Sequence, residues 1–248
     1  MTVIVHMSDL HIGFVEFRED ILINTINYIN ELNPDAVIIS GDLTEHGYYN
    51  EFIKAKEYVS LILPPTIIVP GNHDARNLGD EIFEEVIGHR HNILELKDSK
   101  IKIIGLNSSE PDMDHGKIGR LQKQYMEREI EDAKEKGFFI IITFHHHIIS
   151  VPNTGRERNV LSDAGDILYT LIEKNVNLVL SGHKHVPHVW KMNNTIIATT
   201  GTVSSMKLRG KSYPSFNVIT ISDDNKKVKI CLNTLNNGIE EKVLYEDE

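Results

Sequence analysis

Pro70-Gly71-Asn72-His73-Asp74 follows directly after the β-branched run Thr66-Ile67-Ile68-Val69. A short apolar run that stops at Pro-Gly is typical of a buried strand that ends abruptly in a turn. In an open α/β sheet, ligand sites lie just outside the carboxyl ends of the strands. We therefore expect this turn to carry an amide, an imidazole and a carboxylate out of the sheet, although Gly-Asn-His-Asp taken alone is also ordinary turn chemistry.

Five predicted strands end in polar side chains of this kind. The strands are Thr2–Met7, Ala36–Ser40, Thr66–Val69, Phe138–Phe144 and Leu178–Leu180. The side chains that follow them are Asp9 and His11, Asp42, Asn72 and His73, His145, and His183 and His185. Any one of these groups alone could belong to a solvated loop. Their repeated position at carboxyl ends predicts instead one metal site at a common sheet edge.

The types of side chain restrict the metal. Imidazole together with carboxylate suits Zn, Mn, Fe or Ni, whereas Ca or Mg favours oxygen ligands alone. In an extended backbone, Asp9-x-His11 and His183-x-His185 would each direct both side chains to the same side. The triplet His145-His146-His147 cannot point at one site as a whole, so at least one member is expected to be structural.

Composition limits the class of protein. The chain has 248 residues, of which 40% are hydrophobic and 25% charged, as in a globular protein with a substantial core. Its formal charge of −10 disfavours extended binding to a nucleic-acid backbone, while a local positive site can still bind a small anion. We expect no membrane span and no signal peptide. With the single Cys231, which excludes an intrachain disulfide, these features predict a cytoplasmic protein.

The order of elements predicts the fold class. A β-α-β-α-β start is followed by mixed strands and helices, and from Val189 onward by consecutive short strands. This order predicts an α/β protein, an αββα layered sandwich of two mixed β-sheets flanked by helices. We expect one domain over residues 1–240 and an acidic, frayed C-terminal tail over residues 241–248.

The motifs together resemble the signature of the calcineurin-like metallophosphoesterase superfamily. The matching blocks are Asp9-x-His11, Gly41-Asp42, Gly71-Asn72-His73-Asp74, His145 and Gly182-His183-x-His185, in this order within residues 3–185. The Gly-Asp-Leu-Thr pattern that includes Asp42 is closest to the cyclic-nucleotide-type phosphodiesterase branch. The resemblance implies two divalent transition metal ions per chain, for which we expect Mn, with Fe, Ni and Zn as alternatives.

The resemblance also implies a division of the ligands. One metal would be held by Asp9, His11, Asp42 and His185, and the other by Asn72, His145 and His183, with Asp42 as the bridge. His73 would lie beside the metals without binding them. Two such metals lower the pKa of a bridging water and clamp the oxygens of an in-line displacement. The expected reaction is hydrolysis of a small or single-stranded phosphodiester by a metal-bridging hydroxide.

Two further catalytic assignments concern His73 and Asp74 in the motif Pro70–Asp74. We expect His73 to protonate the leaving oxygen or stabilise its charge. Asp74 would either hold the His73 imidazole or only orient the turn.

Basic side chains outside the signature are candidates for binding the substrate phosphate. They are Arg156, Arg158 and Lys207, and the alternative for each is a solvated loop. The acidic group Asp112, Asp114 and His115 is expected to be a loop rather than a third metal site.

Three other functions compete with the phosphodiesterase. Protein Ser/Thr phosphatases of this family carry Asp-Arg-Gly after the bridging aspartate and end the third motif in Glu, whereas this chain has Leu43-Thr44-Glu45-His46-Gly47 and Asp74. The family's double-strand-break-repair nucleases resemble Ser8–Gly13 but usually add a DNA-binding domain. A metal-binding scaffold without turnover would be expected to lack a ligand. The expected partner is a small anionic phosphoester, with no membrane partner, and homo-oligomerisation stays open.

Overall fold

The computed structural model describes residues 1–154, 159–209, 213–236 and 238–247. The strands in these ranges are β1 Thr2–Met7, β2 Ala36–Ile39, β3 Thr66–Ile68, β4 Asn92–Leu96, β5 Ile101–Gly105, β6 Phe139–Thr143, β7 Leu178–Ser181, β8 His188–Met192, β9 Thr195–Thr199, β10 Ser215–Ile221, β11 Val228–Leu235 and β12 Ile239–Glu246. The helices are α1 Glu19–Leu32, α2 Tyr49–Val59, α3 Gly79–Val86, α4 Gly119–Glu135 and α5 Ala164–Glu173. None of these helices combines the length and apolar character needed to cross a bilayer.

The strands form two mixed six-stranded sheets. The first has the order β12-β11-β10-β1-β2-β3, with β1, β2 and β3 parallel to one another. The second has the order β4-β5-β6-β7-β9-β8, with β5, β6, β7 and β9 parallel. Parallel strands end at the same edge of a sheet, so each sheet brings the carboxyl ends of its parallel strands together.

Three hydrophobic cores separate four layers. Along β1 and β2, Val5 and Val37 pack with α1, α2 and α3, whereas Ile4 and Ile38 face the second sheet. Strand β6 shows the same alternation: Ile141 faces the first sheet, and its neighbours pack toward α4 and α5. Strands buried on both faces read as continuous apolar runs, which is why both sheets could be placed from the sequence. The αββα prediction is confirmed.

The second helix ends earlier than its sequence predicts. The stretch Tyr49–Leu63, closed by Pro64-Pro65, predicts a helix, but α2 ends at Val59, because Leu61 and Ile62 donate backbone hydrogen bonds to carbonyls only three residues earlier. That tighter geometry closes the helix before Pro64-Pro65.

The prediction of a frayed acidic tail is wrong for residues 241–246. These residues belong to β12, which pairs antiparallel with β11 and places Val243 opposite Cys231. The side chain of Tyr245 packs against the core between the sheets. A register shift between Ile230 and Cys231 places Tyr245 and Val243 on opposite faces of the sheet, and the acidic residues Glu240 and Glu241 suit a solvent-exposed edge strand. Acidity alone therefore did not indicate a tail.

We predict that Ile141→Ala will lower the free energy of unfolding by about 2–5 kcal/mol, because it leaves a cavity in the core between the sheets. Ile141 is fully buried, whereas Ile93 on β4 is 36% exposed. The matched Ile93→Ala should therefore cost less than about 1 kcal/mol. Urea unfolding of both variants measures the difference, and equal losses would contradict the layered packing described here.

Candidate metal centre

The carboxyl ends of β1, β2 and β3 meet those of β6 and β7 where the two sheets adjoin. The imidazole Nδ1 of His145, after β6, lies 2.7 Å from the carbonyl oxygen of Ser40, after β2. The backbone amide of His183, after β7, donates to Asp9 Oδ2 at 3.1 Å. Hydrogen bonds between the sheets therefore fix the relative positions of side chains that are up to 174 residues apart in sequence.

Close packing of these strand ends requires glycine at Gly71. A Cβ on Gly71 would lie 2.1 Å from Asp42 Oδ1 and 2.4 Å from the backbone nitrogen of Asp42. Gly71 therefore allows the carboxyl ends of β2 and β3 to approach each other.

The expectation that extended backbone aligns Asp9 with His11 and His183 with His185 is wrong. The residues concerned have left-handed φ values: Asp9 58°, His11 53°, Asp42 52°, His183 71° and His185 56°. Non-glycine residues rarely adopt this conformation, although Asn, Asp and His tolerate it best. Such strain persists where the surrounding structure fixes it and is frequent at functional sites.

The first donor set converges from both sheets. Asp9 Oδ1 lies 3.1 Å from His185 Nε2, and His11 Nε2 lies 3.0 Å from the same nitrogen. His11 Nε2 is also 3.7 Å from Asp42 Oδ2. Atoms that bind one cation at about 2.0–2.2 Å lie roughly 3–4 Å from one another, as these do.

The second donor set shares Asp42 with the first. Asp42 Oδ2 lies 3.3 Å from His145 Nε2, which is 3.2 Å from Asn72 Oδ1. Asn72 Oδ1 is in turn 2.9 Å from His183 Nδ1. The structure therefore brings together all seven side chains predicted as ligands, and Asp42 Oδ2 lies between His11 Nε2 and His145 Nε2.

The tautomers of His11 and His185 leave a ring nitrogen of each residue able to bind a cation. Nδ1 of His185 lies 2.6 Å from the Lys207 carbonyl oxygen, and Nδ1 of His11 lies 2.7 Å from Glu45 Oε2. An acceptor at Nδ1 assigns the proton to Nδ1 and leaves a lone pair on Nε2. Two such Nε2 lone pairs, 3.0 Å apart, repel each other unless a proton or a metal ion lies between them. Asp9 Oδ1 is buried beside them with no hydrogen-bond donor in the described part of the chain. The side chains present therefore fit divalent metal ions.

The electrostatic field of the site agrees with this fit. Burial opposes ionisation of Asp9, but the nearby His185 and His11 outweigh it and hold the pKa of Asp9 well below its usual range. Burial likewise lowers the pKa of His11, but the adjacent carboxylates of Asp9 and Glu45 overcome this and raise it to about 9. The pKa of His145 is also raised to about 9, by Asp42, against the effect of burial. The carboxylates thus favour positive charge at this position.

Asp74 orients the turn and does not hold His73. Its carboxylate accepts hydrogen bonds from the backbone amides of Leu43, Thr44 and Gly71 at 2.9–3.1 Å, and from the Thr44 hydroxyl at 2.8 Å. Burial, followed by repulsion from Asp42, raises the pKa of Asp74 to about 6. The predicted contact between Asp74 and His73 is therefore wrong, and the alternative in which Asp74 orients the turn agrees with these contacts.

Glu45 occupies the position beside His73 that was expected for Asp74, although no sequence pattern predicts a role for Glu45. Its carbonyl oxygen lies 2.7 Å from His73 Nδ1 and its Oε2 lies 3.4 Å from the same nitrogen. The carboxylate also contacts His11 and, at 3.3 Å, Lys207 Nζ. Hydrogen bonding and attraction from His11 overcome burial and lower the pKa of Glu45 to about 2. A single glutamate in a loop carries no sequence signal for such a role.

His73 also lies within reach of the donor sets. Among the residues that the structure describes, three groups of side chains have candidate ligand atoms within 4.8 Å of one another: Asp9, His11 and His185; His11, Asp42 and His73; and Asp9, Asp42 and His145. That His73 lies beside the metals without binding them stays a prediction.

In the triplet His145-His146-His147, His146 Nδ1 lies 2.9 Å from the Ser108 hydroxyl, and burial lowers the pKa of His146 well below the usual value. This contact is typical of a structural histidine.

A cavity of about 200 Å³ opens over the donor sets. It is lined by Asp42, Asn72, His73, Arg76, Asp114, Asn159, His183, His185, Lys207 and Arg209. Lys207 Nζ lies 3.4 Å from His73 Nε2, so this predicted substrate-binding residue is at the site. The other two, Arg156 and Arg158, lie outside the described residues. A larger cavity of about 530 Å³ beside α1 has none of the predicted ligands in its described lining.

We predict that Mn²⁺ will raise the melting temperature of the wild-type chain and will do so much less in Asp42→Asn. Asp42 belongs to both donor sets, and binding to the folded state at about 100 times Kd adds about 2.7 kcal/mol of stability. Asp166→Asn, which changes an exposed aspartate on α5, is the matched control. Thermal unfolding with Mn²⁺ and with a chelator tests this, and equal shifts in all three proteins would contradict it.

Comparison with known proteins agrees with the fold and identifies the family. A sequence profile of the calcineurin-like phosphoesterase family matches residues 2–187. The chain is similar to a probable glycerophosphodiester phosphodiesterase of Arcobacter nitrofigilis, with 31% identity over 219 residues that cover 82% of this chain and 78% of the relative. It is also similar to a probable cyclic nucleotide phosphodiesterase of Vesicomyosocius okutanii, with 23% identity over 231 residues that cover 90% and 95%. A dimetal phosphatase from Danio rerio shares the fold, with a TM-score of 0.74 and 12% identity over 99% of each chain. The chain therefore belongs to the calcineurin-like phosphoesterase family of phosphoester hydrolases.

Proposed function

We propose that the chain is a dinuclear metal-dependent phosphodiesterase that hydrolyses a small or single-stranded phosphodiester. The observation that supports this most is the pair of donor sets that share Asp42 and face one small cavity. The names of the two relatives, which are similar over most of both chains, favour a diester as the substrate.

The proposed ligand assignment follows the two donor sets. Asp9, His11, Asp42 and His185 would hold one ion, and Asp42, Asn72, His145 and His183 the other. Two divalent ions, for which we propose Mn²⁺, would supply Lewis acidity and an activated water. The contacts of His11 with Glu45 and of His185 with the Lys207 carbonyl orient the imidazole rings toward the ions and fix their tautomers.

The size of the cavity supports a small substrate. Pockets that enclose a whole small molecule usually measure about 300–1,000 Å³, whereas this one measures about 200 Å³. It accommodates a phosphoryl group and the atoms next to it, and leaves the rest of the substrate outside. Together with the formal charge of −10, this favours a small or single-stranded ester over a long duplex.

The charge of the site supports a diester. Two divalent ions, offset by Asp9, Asp42 and one hydroxide, leave roughly one positive charge. A phosphodiester is a monoanion, whereas a phosphomonoester is mainly a dianion at neutral pH. Lys207 contributes a cation at the cavity, but Glu45 lies 3.3 Å from its ammonium group and offsets it.

His73 is placed to assist the leaving oxygen. Its Nε2 faces the cavity beside Lys207, and its Nδ1 lies 2.9 Å from Arg76 Nη1. Burial lowers the pKa of His73 to about 4, with Asp42 acting in the opposite direction. At neutral pH the ring is therefore uncharged, and the Glu45 carbonyl oxygen, 2.7 Å from Nδ1, assigns the proton to Nδ1 and leaves the Nε2 lone pair toward Lys207 Nζ. We infer that His73 holds the Lys207 ammonium group in position to stabilise charge on the leaving oxygen.

We predict that His73→Ala will lower kcat by about 10²–10³-fold, as expected for the loss of one donor to a developing oxyanion. The loss should be smaller for p-nitrophenyl esters than for alkyl esters, because an alkyl leaving oxygen develops more negative charge and needs more stabilisation. His46→Ala removes a neighbouring imidazole outside the described lining of the cavity and serves as the control. Equal losses for both classes of ester, or a parallel loss of bound metal by elemental analysis, would assign His73 to structure or to metal binding instead.

We predict that kcat/KM with Mn²⁺ will be higher for bis-p-nitrophenyl phosphate than for p-nitrophenyl phosphate, because the site matches a monoanion. Cyclic nucleotides, glycerophosphodiesters and a labelled single-stranded oligonucleotide should be compared in the same assay. Preference for the oligonucleotide would favour the nuclease. A preference for the monoester would overturn the diesterase, and full metal occupancy without turnover of any ester would favour a binding scaffold.

A further inference from the structure

The cavity next to His73 contains a second cation whose charge is matched by a carboxylate. Arg76, two residues beyond Asp74, places Nη1 2.9 Å from His73 Nδ1. Its Nη2 donates to Asp114 Oδ1 at 2.8 Å. The guanidinium thus connects the imidazole at the reaction site to an aspartate that also lines the cavity.

Asp114 is held in this position by its loop. The loop is closed by an isolated antiparallel bridge between Ser109 and Gly116. The carbonyl oxygen of Asp114 itself lies 3.3 Å from His146 Nε2. Between these anchors, Asp114 Oδ1 also lies 3.4 Å from Asn72 Nδ2, so the carboxylate faces a predicted metal ligand as well as Arg76. Its position does not depend on Arg76 alone.

We propose that Asp114 is a specificity-determining residue that disfavours phosphomonoester dianions by neutralising Arg76. This inference rests on the proposed phosphodiesterase and extends it to the discrimination between ester classes. Arg76 is paired with Asp114 and Lys207 with Glu45, so neither cation adds a full positive charge to the site. The second negative charge of a monoester therefore meets no uncompensated partner at these two positions, and it is also repelled by Asp114.

The expected size of the effect follows from exposure. The Asp114 side chain is 62% exposed and that of Arg76 is 30% exposed. Solvent therefore screens the pair, and its influence is that of a surface ion pair rather than a buried one. Removal of the Asp114 charge should shift the ratio of monoester to diester kcat/KM toward the monoester by about three- to fivefold.

The first test compares Asp114→Asn with the wild type at about pH 8, where a monoester is a dianion. The asparagine keeps an acceptor for Arg76 and Asn72 but removes the charge. Asp112→Asn is the matched control, because Asp112 is on the same loop and its Oδ1 accepts from the Asn77 amide, away from the described cavity lining. We expect the ratio of p-nitrophenyl phosphate to bis-p-nitrophenyl phosphate turnover to rise in the first variant only.

The second test asks whether the effect acts through Arg76. In an Arg76→Gln background, Asp114→Asn should leave the ester ratio unchanged, because the cation that it releases is absent. Arg76→Lys, which keeps the charge, should restore part of the shift. Non-additivity of this kind is the signature of two groups that interact directly.

A binding measurement separates this inference from the proposed function. Calorimetry with the Mn²⁺-loaded protein should show about three- to fivefold tighter binding of inorganic phosphate in Asp114→Asn, with dimethyl phosphate unchanged. This result is measurable even if the protein hydrolyses neither ester, an outcome that would overturn only the phosphodiesterase. An unchanged ratio and affinity, an equal shift in Asp112→Asn, or a loss of bound metal with both activities would overturn the role of Asp114.

Discussion

The facing lone pairs of His11 and His185, beside the buried carboxylate of Asp9, are the constraint on which the site depends. These three polar groups, 3.0–3.8 Å apart, repel one another unless a proton or a metal ion lies between them. A bound cation converts this repulsion into coordination, so binding energy becomes folding energy at the junction of the sheets. The left-handed backbone at Asp9 and His185 shows that the chain accepts strain to hold this arrangement.

Much of the fold and the identity of the donor side chains could be predicted because both follow from local patterns. Apolar runs of strand length marked β1, β2, β3, β6 and β7, and a polar residue after each run marked the edge where they meet. The backbone conformation at the ligands could not be predicted, since Asp-x-His has the same sequence whether it is extended or left-handed. The final strand was missed because its exposed side chains are acidic, and edge strands use charge to avoid pairing with other chains.

The residues that contact the predicted metal ligands and His73 were harder to predict, for a different physical reason. Glu45 and Arg76 act through contacts with residues that are distant in sequence: Glu45 reaches Lys207, and Arg76 reaches Asp114. Such contacts are set by how two loops pack over the strand ends, and neither loop has a periodic pattern. Asp74 shows the converse, because a carboxylate next to His73 in sequence turns back to the amides of its own turn and of Leu43.

The predicted metal ligands and the charged residues around the cavity come from different parts of the fold. The donors come directly after strands that are buried on both faces, where a change in position would disturb two hydrophobic cores at once. The charges around the cavity come from loops: Arg76 follows the third motif, Asp114 lies in the loop after β5, and Lys207 follows β9. Loop residues can change with little effect on the cores. A fold of this kind can therefore keep one metal centre and alter its preference among phosphoesters by changing which cavity cations are paired with carboxylates.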